Sequence, residues 1–215
     1  MAMSNVEGIN IYRITHVDNI AHILQNGITH RNSINCNPNY TEIGDVSLIN
    51  YRKDRRAITN KGEEIVLGDY IPFYFAIRTP MLYVIQNGYN QAKLIHPQDI
   101  VYIVVGLSSI VKDESLSYLF SDGHASNNLS VIYDESDIVD MSQKLDWDAI
   151  KKKYWVGDDV DADLKRRKEA EFLIKGDIDI RHIKGFVCYC EATMDKLKLL
   201  GVPEEKIVVR ENFYF

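Results

Sequence analysis

Between Lys165 and Ile174 the chain passes from four consecutive cations, Lys165-Arg166-Arg167-Lys168, through Glu169-Ala170-Glu171 and directly into Phe172-Leu173-Ile174. The apolar run demands burial, and any carboxylate carried in with it must find partners. If Glu-Ala-Glu-Phe-Leu-Ile is a strand, alternate residues share a face. Glu169, Glu171 and Leu173 then look one way, and Ala170, Phe172 and Ile174 look into the core. A carboxylate fixed at a sheet end beside apolar neighbours suits acid–base or charge-stabilising chemistry. The same residues also fit a cationic helix with Lys–Glu pairing that runs into a strand. The stretch alone leaves both readings open.

The chain has 215 residues, enough for one sizeable domain, residues 1–215, with a well-developed core. Hydrophobic residues at 46% and charged residues at 26% exclude disordered and fibrous classes. No apolar run reaches the length of a membrane span. The start, Met1-Ala2-Met3-Ser4-Asn5, lacks the cationic and apolar regions of a signal peptide, so the expectation is a soluble, intracellular protein. Three cysteines do not suggest a disulfide framework. As strand neighbours, Cys188 and Cys190 would share a face, but a metal site needs two more ligands and only His182 is near in sequence. Buried reduced thiols and no metal are expected. A net charge of −6 excludes a bulk polycation but not a local basic groove. Three clusters could build one: Arg52, Lys53, Arg55 and Arg56; Lys151 to Lys153; and Lys165 to Lys168. Each taken singly also fits a solvated face.

Ile9 to Ile14 alternates as a first strand, and His16 stands at its end, either as a ligand contact or as a cap. Ile20, Ile23 and Leu24 stripe the next helix, which Asn26-Gly27 stops. Residues 29–42 are turn-formers with little periodicity. Residues 41–56 read as a helix or irregular turn; a continuing helix would set Arg52 and Arg56 one turn apart as an anion-binding fork. Phe73 to Phe75 is a strand, Met81 to Asn87 a short helix, and Ile100 to Val105 a central strand. The aromatics at 70–83 are plain core or a stacking wall. Residues 108–165 are polar, with a turn at Asp122-Gly123-His124 and a break near Asp158-Asp159, and read as a substrate-facing insertion. Strands at 183–189 and 206–210 flank a helix at 192–200. The pattern is α+β.

Taken together, several ordered motifs resemble the DarT family of DNA ADP-ribosyltransferase toxins over nearly the whole chain. They are Tyr12-Arg13-Ile14-Thr15-His16 with Asp18-Asn19; Asn26-Gly27; Asn39-Tyr40; Ile43-Gly44; Leu48 to Arg52; Tyr70-Ile71-Pro72-Phe73-Tyr74-Phe75; Arg78-Thr79-Pro80-Met81-Leu82-Tyr83; Asp122-Gly123-His124-Ala125; Trp147; and Arg167 to Glu171. The resemblance implies an ADP-ribosyltransferase-like fold with split antiparallel or mixed sheets, flanking helices and a long substrate loop. Glu169-Ala170-Glu171 is similar to the superfamily's Glu-x-Glu or Gln-x-Glu pattern and singles out Glu171. Glu169 stands where the family pattern has glutamine.

The resemblance further implies NAD as co-substrate and single-stranded DNA as acceptor. Glu171, Arg52 and His124 would be catalytic, with Arg52 also on the NAD phosphates. His16, Asn26, Tyr40, Leu48, Tyr70, Tyr74 and Met81 would surround NAD. Arg55, Arg56, Arg78, Arg166 and Arg167 would contact DNA. Thymidine is the implied target, with guanosine the alternative. A monomeric toxin in the bacterial cytoplasm, paired with a macrodomain antitoxin, completes the expectation. The competing readings are an RNA or protein ADP-ribosyltransferase, and a non-catalytic nucleic-acid-binding module with structural carboxylates.

Overall fold

The computed structural model describes residues 6–157 and 160–215. The expectations about Met1 to Asn5 and the Asp158-Asp159 break lie outside that range. In chain order the elements are β1 (Asn10–His16), α1 (Ile20–Asn26), α2 (Val46–Lys53), β2 (Arg56–Ile58), β3 (Glu64–Val66), β4 (Tyr70–Tyr74), α3 (Pro80–Asn87), β5 (Ile100–Gly106), α4 (Leu107–Val111), β6 (Tyr118–Ser121), β7 (Ile132–Tyr133), α5 (Met141–Lys144), α6 (Trp147–Lys151), α7 (Leu164–Lys168), β8 (Glu171–Lys175), β9 (Ile183–Cys188), α8 (Glu191–Leu199) and β10 (Ile207–Val209).

Eight strands form one mixed sheet in the order β10-β9-β5-β1-β4-β8-β6-β7, with β2 and β3 paired apart. β5 is apolar along its length and buried on both faces, so it takes an interior position between β1 and β9. β1 pairs with β5 over seven residues but meets β4 at a single pair, Tyr12↔Tyr74. One pair cannot zip two strands together. The sheet therefore opens between β10-β9-β5-β1 and β4-β8-β6-β7, which is the split arrangement expected from the sequence.

The main core is shared by both halves of the sheet. Phe73, Phe120, Phe172 and Phe186 fill the main core, where the Tyr118 and Phe172 rings stack at 5.0 Å. A second core around Tyr102 closes the outer face near the C-terminus, where Tyr102 Oη donates to the carbonyl oxygens of Ile77 and Phe213. The polar excursion at 108–165 contributes more than a loop. Tyr118-Leu119-Phe120-Ser121 is buried throughout and inserts as β6 beside β8. Ile110, Ile132, Ile138, Met141, Leu145, Ile150 and Leu164 from the same excursion are buried as well.

Candidate active site

β8 opens at Glu171, not Glu169. Glu169 closes α7 in a helical-to-bridge conformation (φ −91°, ψ 24°), so the two carboxylates do not share a strand face. Both are nonetheless buried, at 9% and 0% exposure. The cationic helix leading into a strand is the reading that holds locally.

Glu171 faces Tyr74 across the β4–β8 pairing, at the end of β4 where the sheet splits. Its Oε1 and Oε2 accept from Arg52 Nη1 and Nη2 at 2.9 and 2.8 Å, and Oε1 also accepts from the Ala125 backbone N–H at 3.0 Å. Burial by itself raises the Glu171 carboxyl. The Arg52 guanidinium, His124 and the two sets of hydrogen bonds outweigh it and hold the group below its ordinary value, as an anion. The Arg52–Glu171 fork fixes carboxylate and guanidinium against each other.

Local sequence explains how each partner arrives. The Asp45 carboxylate accepts from the N–H groups of Ser47 and Leu48 and starts α2, whose last turn carries Arg52. α2 ends at Lys53, and Arg56 lies in β2, exposed and bound to Glu64. The expected Arg52/Arg56 fork is therefore absent. Two of the five N–H donors of Arg52, one on each Nη, go to Glu171, and the residue also lines the cavity of the site. His124 sits on the turn after β6, where its N–H donates to Arg166 O; a Cβ at Gly123 would stand 2.8 Å from that same carbonyl oxygen, so the close approach excludes a side chain. Its Nε2 lies 3.9 Å from Glu171 Oε1 and its Nδ1 2.8 Å from Ser126 Oγ. Burial pushes the imidazole below its ordinary value, toward the neutral form.

A cavity of about 400 Å³ opens at the split, within the range of small-molecule sites. Tyr40, Leu48, Arg52, Tyr70, Tyr74, Met81 and His124 line it. His16 and Asn26 are not on its lining. His16 Nδ1 instead accepts from the Asp18 N–H at 3.2 Å as a cap, and the Asn26 side chain donates to His22 O. From β1 it is Arg13, Ile14 and Thr15 that line the cavity, and His16, at the end of the strand, lies beyond it. Sequence reasoning missed all three as site residues, although the first motif of the resemblance contained them. Arg13 Nη1 donates to Pro72 O at 3.0 Å and bridges the split from β1 to β4. Asn19, fully buried, binds Thr41 through both its amide atoms and also donates to Thr15 Oγ1, fixing the end of the 29–42 loop over the cavity.

Of the five arginines assigned to DNA, three are paired with carboxylates, Arg56 with Glu64 at the surface. Arg166 is held by Asp163 and Asp122 with 11% side-chain exposure, and Arg167 by Asp146, Asp161 and Asp163. Arg78 donates to Asn212 O. Arg55 is half-buried, lies 5.3 Å from the Tyr51 ring and reaches Asn128. Lys168, also buried, donates to the carbonyl oxygens of Ile150 and Lys152, and burial lowers it to about 8. Among the described residues no group of three or more His, Cys, Asp and Glu could hold a metal ion, and no helix is long and apolar enough to cross a membrane. Cys188 is buried in β9, whereas Cys190 lies past the strand end and is partly exposed.

Comparison with known proteins agrees with this geometry. Residues 12–215 match the family described as "ssDNA thymidine ADP-ribosyltransferase, DarT". The chain is 32% identical over 190 residues to the DNA ADP-ribosyl transferase of Escherichia coli O127:H6, covering 88% of this chain and 84% of that one. It is 28% identical over 213 residues to a Thermosipho africanus DNA ADP-ribosyl transferase–DNA ADP-ribosyl glycohydrolase fusion protein, covering 95% of this chain and 49% of the fusion. The structure of Thermus sp. 2.9 DarT in complex with ADP-ribosylated ssDNA superposes with a TM-score of 0.79 at 24% identity, over 96% of each chain. The split sheet with Glu171 at its opening is thus an ADP-ribosyltransferase fold. Within that class, the chain belongs to the DarT family of single-stranded DNA ADP-ribosyltransferases.

Proposed function

We propose that the protein transfers ADP-ribose from NAD to the thymine base of thymidine in single-stranded DNA, and acts as the toxin of a bacterial toxin–antitoxin pair in the cytoplasm. The observation that carries the reading is the wholly buried Glu171 carboxylate, gripped by Arg52 beside a cavity of about 400 Å³ at the split of the sheet. The cavity suits NAD in chemistry as well as size. Tyr40, Tyr70, Tyr74 and Met81 offer flat and apolar walls, and Arg13, with the N–H donors of Arg52 that Glu171 leaves unused, supplies cations for the diphosphate.

In the reaction the bond between nicotinamide and ribose breaks, and a new bond forms between the ribose carbon and a ring nitrogen of the base. Positive charge develops on the ribose, and the Glu171 anion lies in a site dry enough for its field to act strongly. Arg52 keeps that carboxylate oriented. The ring N–H must lose its proton, and the neutral His124 imidazole beside Glu171 is the acceptor within reach. A single strand offers its base already unpaired, which removes an opening cost. Arg55, just past α2, is a phosphate contact for that strand. The fusion of a relative's transferase to a glycohydrolase supports a partner that removes the adduct, and a macrodomain antitoxin would fill that role.

Oligonucleotides of varied sequence, incubated with NAD, should gain one ADP-ribose by mass where thymidine is present, and Glu171→Ala should abolish the gain. A folded wild-type protein that leaves every oligonucleotide unmodified overturns the reading; adducts only on guanosine, RNA or protein replace its acceptor.

A further inference from the structure

A second groove, of about 360 Å³, lies on the other side of α3 from the catalytic cavity. The helix is the partition. Met81 and Ile85, four residues apart, face the catalytic cavity, while Pro80, Tyr83 and Val84 face the groove. Tyr89 and Trp155 complete its walls, and the ring of Tyr83 stands 5.8 Å from each of theirs and 5.3 Å from Phe215. These rings are not core: Tyr83 is 38% exposed and Tyr89 51%. Lys165 forms one edge of the groove and stands on α7, the helix that ends at Glu169 just before β8. Neither Lys165 nor Lys153, whose ammonium lies over the neighbouring Tyr154 ring, is within 4 Å of a carboxylate among the described residues. In a chain of net charge −6, unpaired cations alternating with open aromatic faces match an unstacked polyanion.

We infer that this groove takes a nucleobase of the same single strand next to the modified one, laid against the outer surface of the Tyr83, Tyr89 and Trp155 cluster, with its phosphate against Lys165. The inference rests on the reading of single-stranded DNA as substrate and adds where the flanking strand runs. It makes α3 a divider between donor and acceptor sites, with Met81 on one side and Tyr83 on the other.

The test uses a fluorescently labelled single-stranded oligonucleotide with one thymidine, and a set in which each flanking base is replaced by an abasic site. Tyr89→Ala and Trp155→Ala should each weaken binding about tenfold, in keeping with the loss of one base–ring stack. They should raise KM for the oligonucleotide while kcat and the thermal shift given by NAD stay as in wild type. One abasic position should weaken the wild type by a similar factor and leave the variants unchanged. Lys165→Gln should reduce the salt slope by about one contact. Variants that bind every oligonucleotide as the wild type does, while the wild type modifies the strand, overturn this inference alone. So does a loss of binding that sedimentation traces to a changed oligomeric state. A wild type that takes no single strand overturns the substrate reading, and this inference falls with it.

Discussion

At the scale of single residues, the Arg52–Glu171 pair is the most consequential contact in the molecule. Breaking a buried pair leaves the survivor charged and without a partner, which typically costs about 3–5 kcal/mol. Arg52→Ala should lower the unfolding free energy by that order and remove activity together, as read by urea unfolding and adduct mass. Arg52→Lys should recover much of the stability but little of the activity, because one ammonium cannot grip both carboxylate oxygens. Glu169 behaves differently. Its carboxyl has no side-chain hydrogen bond among the described residues, and burial raises it from 4.5 to about 7. The folded state thus keeps a proton that the unfolded chain loses. That contribution is complete below about pH 4.5 and fades as pH rises through about 7. It amounts to at most about 3 kcal/mol. Comparing unfolding at pH 5 and pH 8, Glu169→Gln should show a smaller fall in stability than wild type; equal falls would show that Glu169 is not the group responsible. Glu171 pulls the other way, since its lowered value makes a contribution that is lost in acid.

At the scale of elements, α2 is a helix with no buried residue. It is held by its cap and by the one arginine it delivers. Asp45→Ala should therefore cost about 1 kcal/mol of helix stability, speed amide exchange across residues 46–53, and depress activity through a loosened Arg52. Asp45→Asn should preserve most of the cap. If exchange in α2 does not change with Asp45→Ala, the helix has another anchor. α3 is more robust. Thr79 Oγ1 accepts from the Leu82 N–H, Pro80 opens the helix, and Gly88 closes it in the left-handed region at φ 63°. These signals are all local, and the helix was legible from them to within a residue. The start of β8 was not legible. Alternation in Glu-Ala-Glu-Phe-Leu-Ile extends smoothly back to Glu169, yet the sheet's hydrogen bonding begins two residues later, where β4 ends at Tyr74.

At the scale of the whole molecule, the net charge of −6 does not describe the surface that meets DNA. Most cations expected on the DNA path are paired internally, so the strand should meet only a few free ones. Binding of a single strand should weaken with salt at a slope of about −0.7 per phosphate contact, giving a shallow total. A steep slope would point to a longer basic track than the surface offers.

Alternation, caps and breakers pointed to the strands at 9–14 and 100–105, the helix striped by Ile20, Ile23 and Leu24, and the helix at 81–87, because each depends on residues within a few positions of one another; the family resemblance singled out Glu171. The tertiary structure alone decided which residues of β1 meet the cavity. It placed Arg13, Ile14 and Thr15 on the cavity lining, and it joined Arg52 to a carboxylate 119 positions away. It also used the DNA-path arginines Arg166 and Arg167 as internal ties. A charge's partner is set by the packing of distant segments, and no local period in the chain carries that information.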